Sequence, residues 1–439
     1  MAETDRPHLD TVREQARNAA LAGNAALALA HFRSLLELAP EDVEALNYVA
    51  MADLASGHVK RACERLERAR DASPGDRASR KNLGIARLYA GTPAEAHEVL
   101  APLLDEDPDF FVARLYLGLA LERLGKAELA ATEYMKAISS AQQQGQWTST
   151  ATTPAGLRAG VQHAMDVARR SHRQLVGSLL APLVSRFGRS SMARVERCLA
   201  GYLGDLRLTP ADPRQKPQFL YFPGLPETPV LDRGLFPWYG EMEAATAAIT
   251  RELRAVLDDR PQFEPFLGEP PPGMESSYLG PSDDSATPRW DAFFFYRHGR
   301  RFDGNADRCP QTVRALDRAP TVRIQGHAPE SLFSVLGPGS HIKPHHGVTN
   351  TRVVTHLPLI VPADCRLRVA DHVHAWEPGR CFTFDDTFEH EAWNRSAQTR
   401  VILLFDVWNP HLAAEEREAL GALIARLDGS AEEGRAPPS

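Results

Sequence analysis

The chain has 439 residues, 43% of them hydrophobic and 24% charged, with a formal net charge of −7. That length exceeds one ordinary core and predicts two or three domains, and mild acidity spread over it argues against a nucleic-acid binder. No run of 18 apolar residues occurs and the start, MAETDRPHLDTVREQARN, is charged throughout, so neither a transmembrane helix nor a secretory leader is expected.

In chain order, the first element is a repeat. Gly23, Gly57, Gly91 and Gly125 lie 34 residues apart, and Pro40, Pro74 and Pro108 follow the first three at 17 residues. Ala28, Ala62, Ala96 and Ala130 stand five residues after each glycine, and Phe32, Leu66, Leu100 and Tyr134 nine after. Small residues where two helices touch, a glycine for the turn and a proline that stops the second helix predict tetratricopeptide-type helix pairs over 8–145. Such a helical solenoid reads either as a groove for a peptide or protein or as a dimerising or stabilising appendage.

A helical bridge is expected over 146–208, where PAGLRAGVQHAMDVARRSHRQLVGSLLAPLV spaces apolar residues by three and four. From 209 the texture turns to proline and aromatics, which marks the start of a domain over 209–427. FPWYGEMEAATAAITRELRAVL, at 236–257, reads as one amphipathic helix.

After a proline-rich turn beginning at Pro270, β-prone runs alternate with turn residues: WDAFFFYR, LFSVL, TRVVTHLPLIV, CRLRVA, CFTF and RVILLFDVW. They predict an antiparallel sandwich or jelly roll, so the whole chain reads as multidomain α + β. His341, His345, His346 and His356 crowd one turn and strand, and His390 follows FTFDD. Two histidines on facing strands of a jelly roll suit one metal ion, but Gly347 stands where a facial triad would place its carboxylate. The tail DGSAEEGRAPPS, 428–439, is expected to be disordered. Cys63, Cys198, Cys309, Cys365 and Cys381 form no CxxC pair, which favours a reducing, cytoplasmic setting without zinc ribbon or disulfide framework.

The motifs PGSHIKPHHG, the HL that follows, WEPGRCFTFDDTFEHEAWN and DVWNP recur in one order, and the stretch 217–415 that contains them resembles the aspartyl/asparaginyl β-hydroxylases. That resemblance implies a double-stranded β-helix oxygenase domain using Fe(II), O2 and 2-oxoglutarate, with succinate and carbon dioxide as co-products. It makes His345 and His390 the metal ligands and catalytic residues, with a small residue, here Gly347, in place of the carboxylate. It assigns Arg400 and Ser334 to the distal carboxylate of 2-oxoglutarate and His356 to its C1 carboxylate. Arg352 and His298 fall at positions lining the substrate pocket.

The implied reaction is hydroxylation at the β-carbon of an aspartyl- or asparaginyl-like residue in a peptide or protein, which the repeats would hold. Two departures bear on the substrate. Val354 replaces the arginine of the family's Arg-x-His, and Leu332 stands where some relatives carry lysine, so an acidic side chain loses two partners unless Arg352, Arg297, Arg300 or Arg301 compensates. A small-molecule, carrier-bound or lipid substrate, and a non-catalytic repeat protein with a degenerate oxygenase domain, are the alternatives. Asp385 and Asp386 read equally as groups orienting a histidine or as strand-end caps.

Overall fold

The computed structural model describes residues 6–259, 263–266, 277–282 and 287–427. The turn at Pro270 and the tail over 428–439 lie outside these. The chain forms two compact units, Met1–Gln174 and Leu175–Ser439.

In the first unit, α1 (Arg6–Leu21) pairs with α2 (Ala25–Leu38), and α3 (Val43–Ala55) with α4 (Val59–Ala72). Likewise α5 (Arg77–Tyr89) pairs with α6 (Pro93–Glu106), and α7 (Phe111–Arg123) with α8 (Ala127–Gln143). Each pair turns at one of the four periodic glycines, whose φ angles of 75° to 79° are left-handed and cost other residues steric strain. Asp42 and Asp76 cap α3 and α5 by accepting hydrogen bonds from the amides of Ala45 and Ser79. The alanine column is fully buried, and a Cβ added at Gly84 would sit 2.5 Å from Leu100 Cγ. Small residues therefore set how closely the helices of a pair approach.

The expected bridge becomes α9 (Arg158–Phe187) and α10 (Arg189–Tyr202), and the division between the units falls within α9. Val161 and Ala164 of α9 join the repeat core, whereas Val176 packs in the core of the second unit with Met192 and Val195 of α10.

After α10 the second unit continues as irregular chain over 203–232. The single helix expected over 236–257 is two, α11 (Tyr239–Ala244) and α12 (Thr246–Asp259). The break is chemical: the Thr246 hydroxyl donates to the Glu243 carbonyl at 2.6 Å, and Phe236 and Trp238 fold into the turn before α11. The strands are β1 (Glu264–Pro265), β2 (Leu279–Pro281), β3 (Trp290–Arg297), β4 (Arg300–Arg301), β5 (Ser331–Leu336), β6 (Ser340–His345), β7 (Arg352–Ile360), β8 (Cys365–Val369), β9 (His372–His374), β10 (Phe382–Phe384), β11 (His390–Asn394) and β12 (Arg400–Trp408). Helices α13 (Asp303–Arg308) and α14 (Pro310–Arg318) fall between β4 and β5, and α15 (Ala414–Leu427) closes the unit.

Among the described residues the strands form two antiparallel sheets, ordered β1-β3-β5-β12-β7-β10, with β4 beside β3, and β2-β6-β11-β8-β9. From β5 to β8, and again from β9 to β12, consecutive strands alternate between the sheets. Along the first sheet the side chains alternate too. Phe333, Val353, Leu357, Leu403, Phe405 and Val407 pack beneath Ile249, Leu253 and Val256 of α12 and Leu316 of α14. The opposite face, carrying Ser334, Val354, His356, Ile402 and Leu404, turns toward the second sheet and lines a cavity. No described helix is long and apolar enough to cross a membrane.

Candidate active site

The cavity between the sheets has a volume of about 220 Å³. His345 and His390 meet on its wall with ring centroids 4.1 Å apart. They stand not on facing strands, as the sequence suggested, but as register partners on neighbouring strands, β6 and β11, of the smaller sheet. A bulge makes this possible. His345 pairs with His390, but the next pair is Ile342 with Ala392, so three steps on β6 oppose two on β11. Alternation from Ser340 and Ile342, both buried, would turn residue 344 inward; the bulge turns His345 inward instead. Pro344, without an N–H to donate, falls in the interrupted stretch of the ladder.

Each imidazole is oriented by its own backbone. His345 Nδ1 lies 2.8 Å from the Lys343 carbonyl and His390 Nδ1 3.0 Å from that of Phe388. A carbonyl only accepts, so both Nδ1 atoms donate and both Nε2 atoms keep a lone pair. Burial lowers the pKa of His345, and burial together with His345 takes that of His390 down to about 3. Both rings are neutral at pH 7, the form that ligates a metal ion.

No third ligand completes the set: the described residues contain no cluster of three histidine, cysteine or carboxylate groups able to hold a metal. The reason is visible at Gly347. A Cβ there would overlap the carboxyl group of Asp386, and the Gly347 amide donates to the Asp386 carbonyl at 2.6 Å. Asp386 thus fills the space beside the residue two after His345. Its Oδ1 has no hydrogen-bond partner, and burial, against the pull of Arg352, pushes its carboxyl up to about 7. The neighbouring Asp385 acts as a cap: it is 2% exposed and accepts from Thr387 N at 2.9 Å and Gln215 Nε2 at 2.8 Å, which fixes the turn before His390.

At one end of the cavity Arg400 is 1% exposed. Its Nη1 lies 3.4 Å from the Ser334 carbonyl and hydroxyl, its Nε has no partner, and burial lowers its pKa to about 10. No carboxylate among the described residues pairs with it. Its guanidinium stacks on Trp376 at 4.9 Å, and the Trp376 indole donates to His356 Nδ1 at 3.2 Å. His356 is held neutral by burial and the nearby Arg400 charge, so its proton is on Nε2. This end therefore offers a fixed cation, a hydroxyl and an imidazole N–H, a donor set suited to a carboxylate.

Arg352 lines the opposite end and is ion-paired to Asp406. His298 is not among the lining residues. It is exposed, and its ring lies 2.9 Å from Glu330, which does line the cavity. Glu330 carried no recognisable signal in the sequence, whereas Asp406 and Trp376 lie inside the motifs DVWNP and WEPGR.

An antiparallel two-sheet unit whose cavity joins two neutral histidines to a buried arginine, unpaired among the described residues, presents a candidate active site. Comparisons with known proteins give it a family. Residues 243–410 match the aspartyl/asparaginyl beta-hydroxylase family model, and residues 81–145 a tetratricopeptide repeat. Aspartate beta-hydroxylase domain-containing protein 2 of Mus musculus is 30% identical over 56% of this chain and 69% of its own length. The ornithine lipid ester-linked acyl 2-hydroxylase of Rhizobium tropici is 33% identical over 44% of this chain and 64% of its own. The aspartyl/asparaginyl beta-hydroxylase of Homo sapiens is 35% identical, but over only 30% of this chain and 18% of its own length. A tetratricopeptide protein of Thermus thermophilus matches 38% of this chain and 89% of its own, at 18% identity and a TM-score of 0.30. The chain belongs to the aspartyl/asparaginyl β-hydroxylase family and carries tetratricopeptide repeats at its N-terminal side.

Proposed function

We propose that this hydroxylase uses Fe(II) and 2-oxoglutarate to hydroxylate the β-carbon of a residue in a peptide or protein. The observation that carries the reading is Arg400, a buried guanidinium with no counter-ion among the described residues, in the same cavity as two neutral histidines. A buried charge left unpaired is costly, on the order of several kcal/mol, and a ligand carboxylate removes that cost. The passage of β5 to β12 back and forth between two sheets, interrupted only by the β8–β9 hairpin, resembles the winding of a jelly roll, the fold expected for such a centre.

His345 and His390 would hold the metal through Nε2, and the Asp386 carboxyl beside Gly347 would hydrogen-bond a water in the position that no protein ligand takes. Arg400 and the Ser334 hydroxyl would bind the distal carboxylate of 2-oxoglutarate, and His356 would donate from Nε2 to the C1 carboxylate. When bound, iron supplies oxygen activation coupled to decarboxylation of the cosubstrate. The protein's part is to orient the two carboxylates and to exclude water with Trp290, Trp376, Phe384 and Ile402. In the repeat unit, a groove of about 830 Å³ lined by Arg17, Asn47, Tyr48, Met51 and Asn82 is proposed to take the peptide or protein partner. The five cysteines, all free thiols, fit a reducing cytoplasm.

The test is succinate formation from 2-oxoglutarate with Fe(II) and O2, in wild type and His345→Ala. Turnover in wild type that is lost in the variant supports the reading. No turnover in either, with partner binding by the repeats intact, would favour a non-catalytic repeat protein.

A further inference from the structure

The inner face of β12 runs from one kind of charge to the other. Arg400 stands at its start, Ile402 and Leu404 follow, and Asp406 stands at its far end, all four lining the cavity. Besides Arg400 and Asp406, the charged residues described in the lining are Glu330, Arg352, Asp386 and Glu391; Glu391 is ion-paired to Arg368, while Glu330, Asp386 and Asp406 attract Arg352. Three carboxyl groups thus face one guanidinium, and that guanidinium is already ion-paired to Asp406. Val354, register partner of Asp406, and Leu404 add no cation. A substrate carboxylate at this end would find no cation that is not already ion-paired.

Glu330 is built differently from the other two. Asp406 is bound to Arg352 and accepts from the Glu330 amide at 2.8 Å, and Asp386 lies against Gly347. The Glu330 carboxylate is only 18% exposed, yet its ring partner, His298, has a side chain 70% exposed. The His298 amide also donates to it, at 2.6 Å. Glu330 thus lines the cavity while the imidazole that pairs with it is open to solvent. Such a carboxylate favours an incoming cation over water.

We propose that Glu330 is a specificity residue that receives an ammonium or guanidinium group, so that the residue oxidised is basic, of the lysine or arginine type, and not acidic. This rests on the hydroxylase reading above. The reaction keeps that stoichiometry: one oxygen atom of O2 enters a substrate C–H bond to give C–OH. The other appears in succinate as 2-oxoglutarate loses its C1 as carbon dioxide and supplies two electrons.

The experiment uses the full chain with Fe(II), 2-oxoglutarate and O2. The probes are acetylated, amidated alanine pentapeptides with Lys, Arg, Asp or Asn at the centre, read by mass spectrometry for one added oxygen and by succinate above the probe-free rate. The Lys or Arg peptide is expected to react and the Asp peptide to stay unmodified. Glu330→Gln should raise the KM of the basic peptide on the order of 10- to 100-fold, with retained 2-oxoglutarate binding as the control for folding. His298→Ala, at an exposed site, should lower that KM by removing the competing imidazole. Preferential oxidation of the Asp or Asn peptide would overturn the proposal. So would equal oxidation of the basic peptide by wild type and Glu330→Gln, or oxidation of none while probe-free succinate formation continues. Absence of 2-oxoglutarate binding in wild type would instead remove the hydroxylase reading itself.

Discussion

Arg400 and Asp386 are the two side chains whose environment is hardest to explain without a ligand. Replacing Arg400 with methionine removes a buried charge that nothing in the described structure neutralises, so the ligand-free variant should melt at or above the wild-type temperature. Its dissociation constant for 2-oxoglutarate should rise roughly 100-fold, about 3 kcal/mol. Parallel thermal melts and titrations read both effects, and a strongly destabilised Arg400→Met would mean that the guanidinium is structural. Asp386 titrates near 7 in the fold against 3.8 for an ordinary aspartate. Between about pH 4 and 7 the folded state keeps a proton that the unfolded chain has released, so this group costs stability increasingly as pH rises through that window. In metal-free protein, the unfolding free energy of Asp386→Asn relative to wild type should therefore grow by roughly 2–4 kcal/mol from pH 4 to 7 and then level off. A difference that is flat with pH would place Asp386 in solvent. Gly347→Ala tests the contact itself: it should destabilise by about 1–3 kcal/mol, and combining it with Asp386→Ala should recover most of that loss in a double-mutant cycle.

At the scale of elements, the repeat helices follow from close approach. A Cβ at Gly118 would fall 2.6 Å from the Tyr134 ring, so Gly118→Ala, like Gly84→Ala, should cost about 1–3 kcal/mol of stability in denaturant titrations despite alanine's better helix propensity. If either variant is more stable, the helix pairs are not packed at these points. These helices are legible in the sequence because the period of 34 repeats four kinds of position in register. The strands of the larger sheet are legible for a similar reason, since VVTHLPLI and VILLFDV carry long apolar runs. The two strands that bear the histidines are not: SHIKPH and HEAWN are short and polar, one holds a proline, and their side-chain alternation is broken by the bulge. The motifs single out the two histidines by residue, while their placement on one sheet comes from the structure. The helix expected over 236–257 is too long because its apolar spacing continues across the Thr246 cap.

For the whole molecule, the repeat unit and the sheet unit each contain their own buried core. Calorimetry should accordingly resolve two unfolding transitions. Fe(II) with 2-oxoglutarate at about 100 times its dissociation constant should raise only the transition of residues 175–439, by about 2.7 kcal/mol. A shift of both together would make the chain one cooperative unit. The proposed activity turns on the pair of histidines acting with a chelating cosubstrate. Its most direct test is an anaerobic titration of the purified chain with Fe(II) and then 2-oxoglutarate, followed through the weak visible charge-transfer band of the chelate. Wild type should develop the band and His390→Ala should not. A band of equal strength in both proteins, or none in wild type with no iron retained, would contradict the assignment.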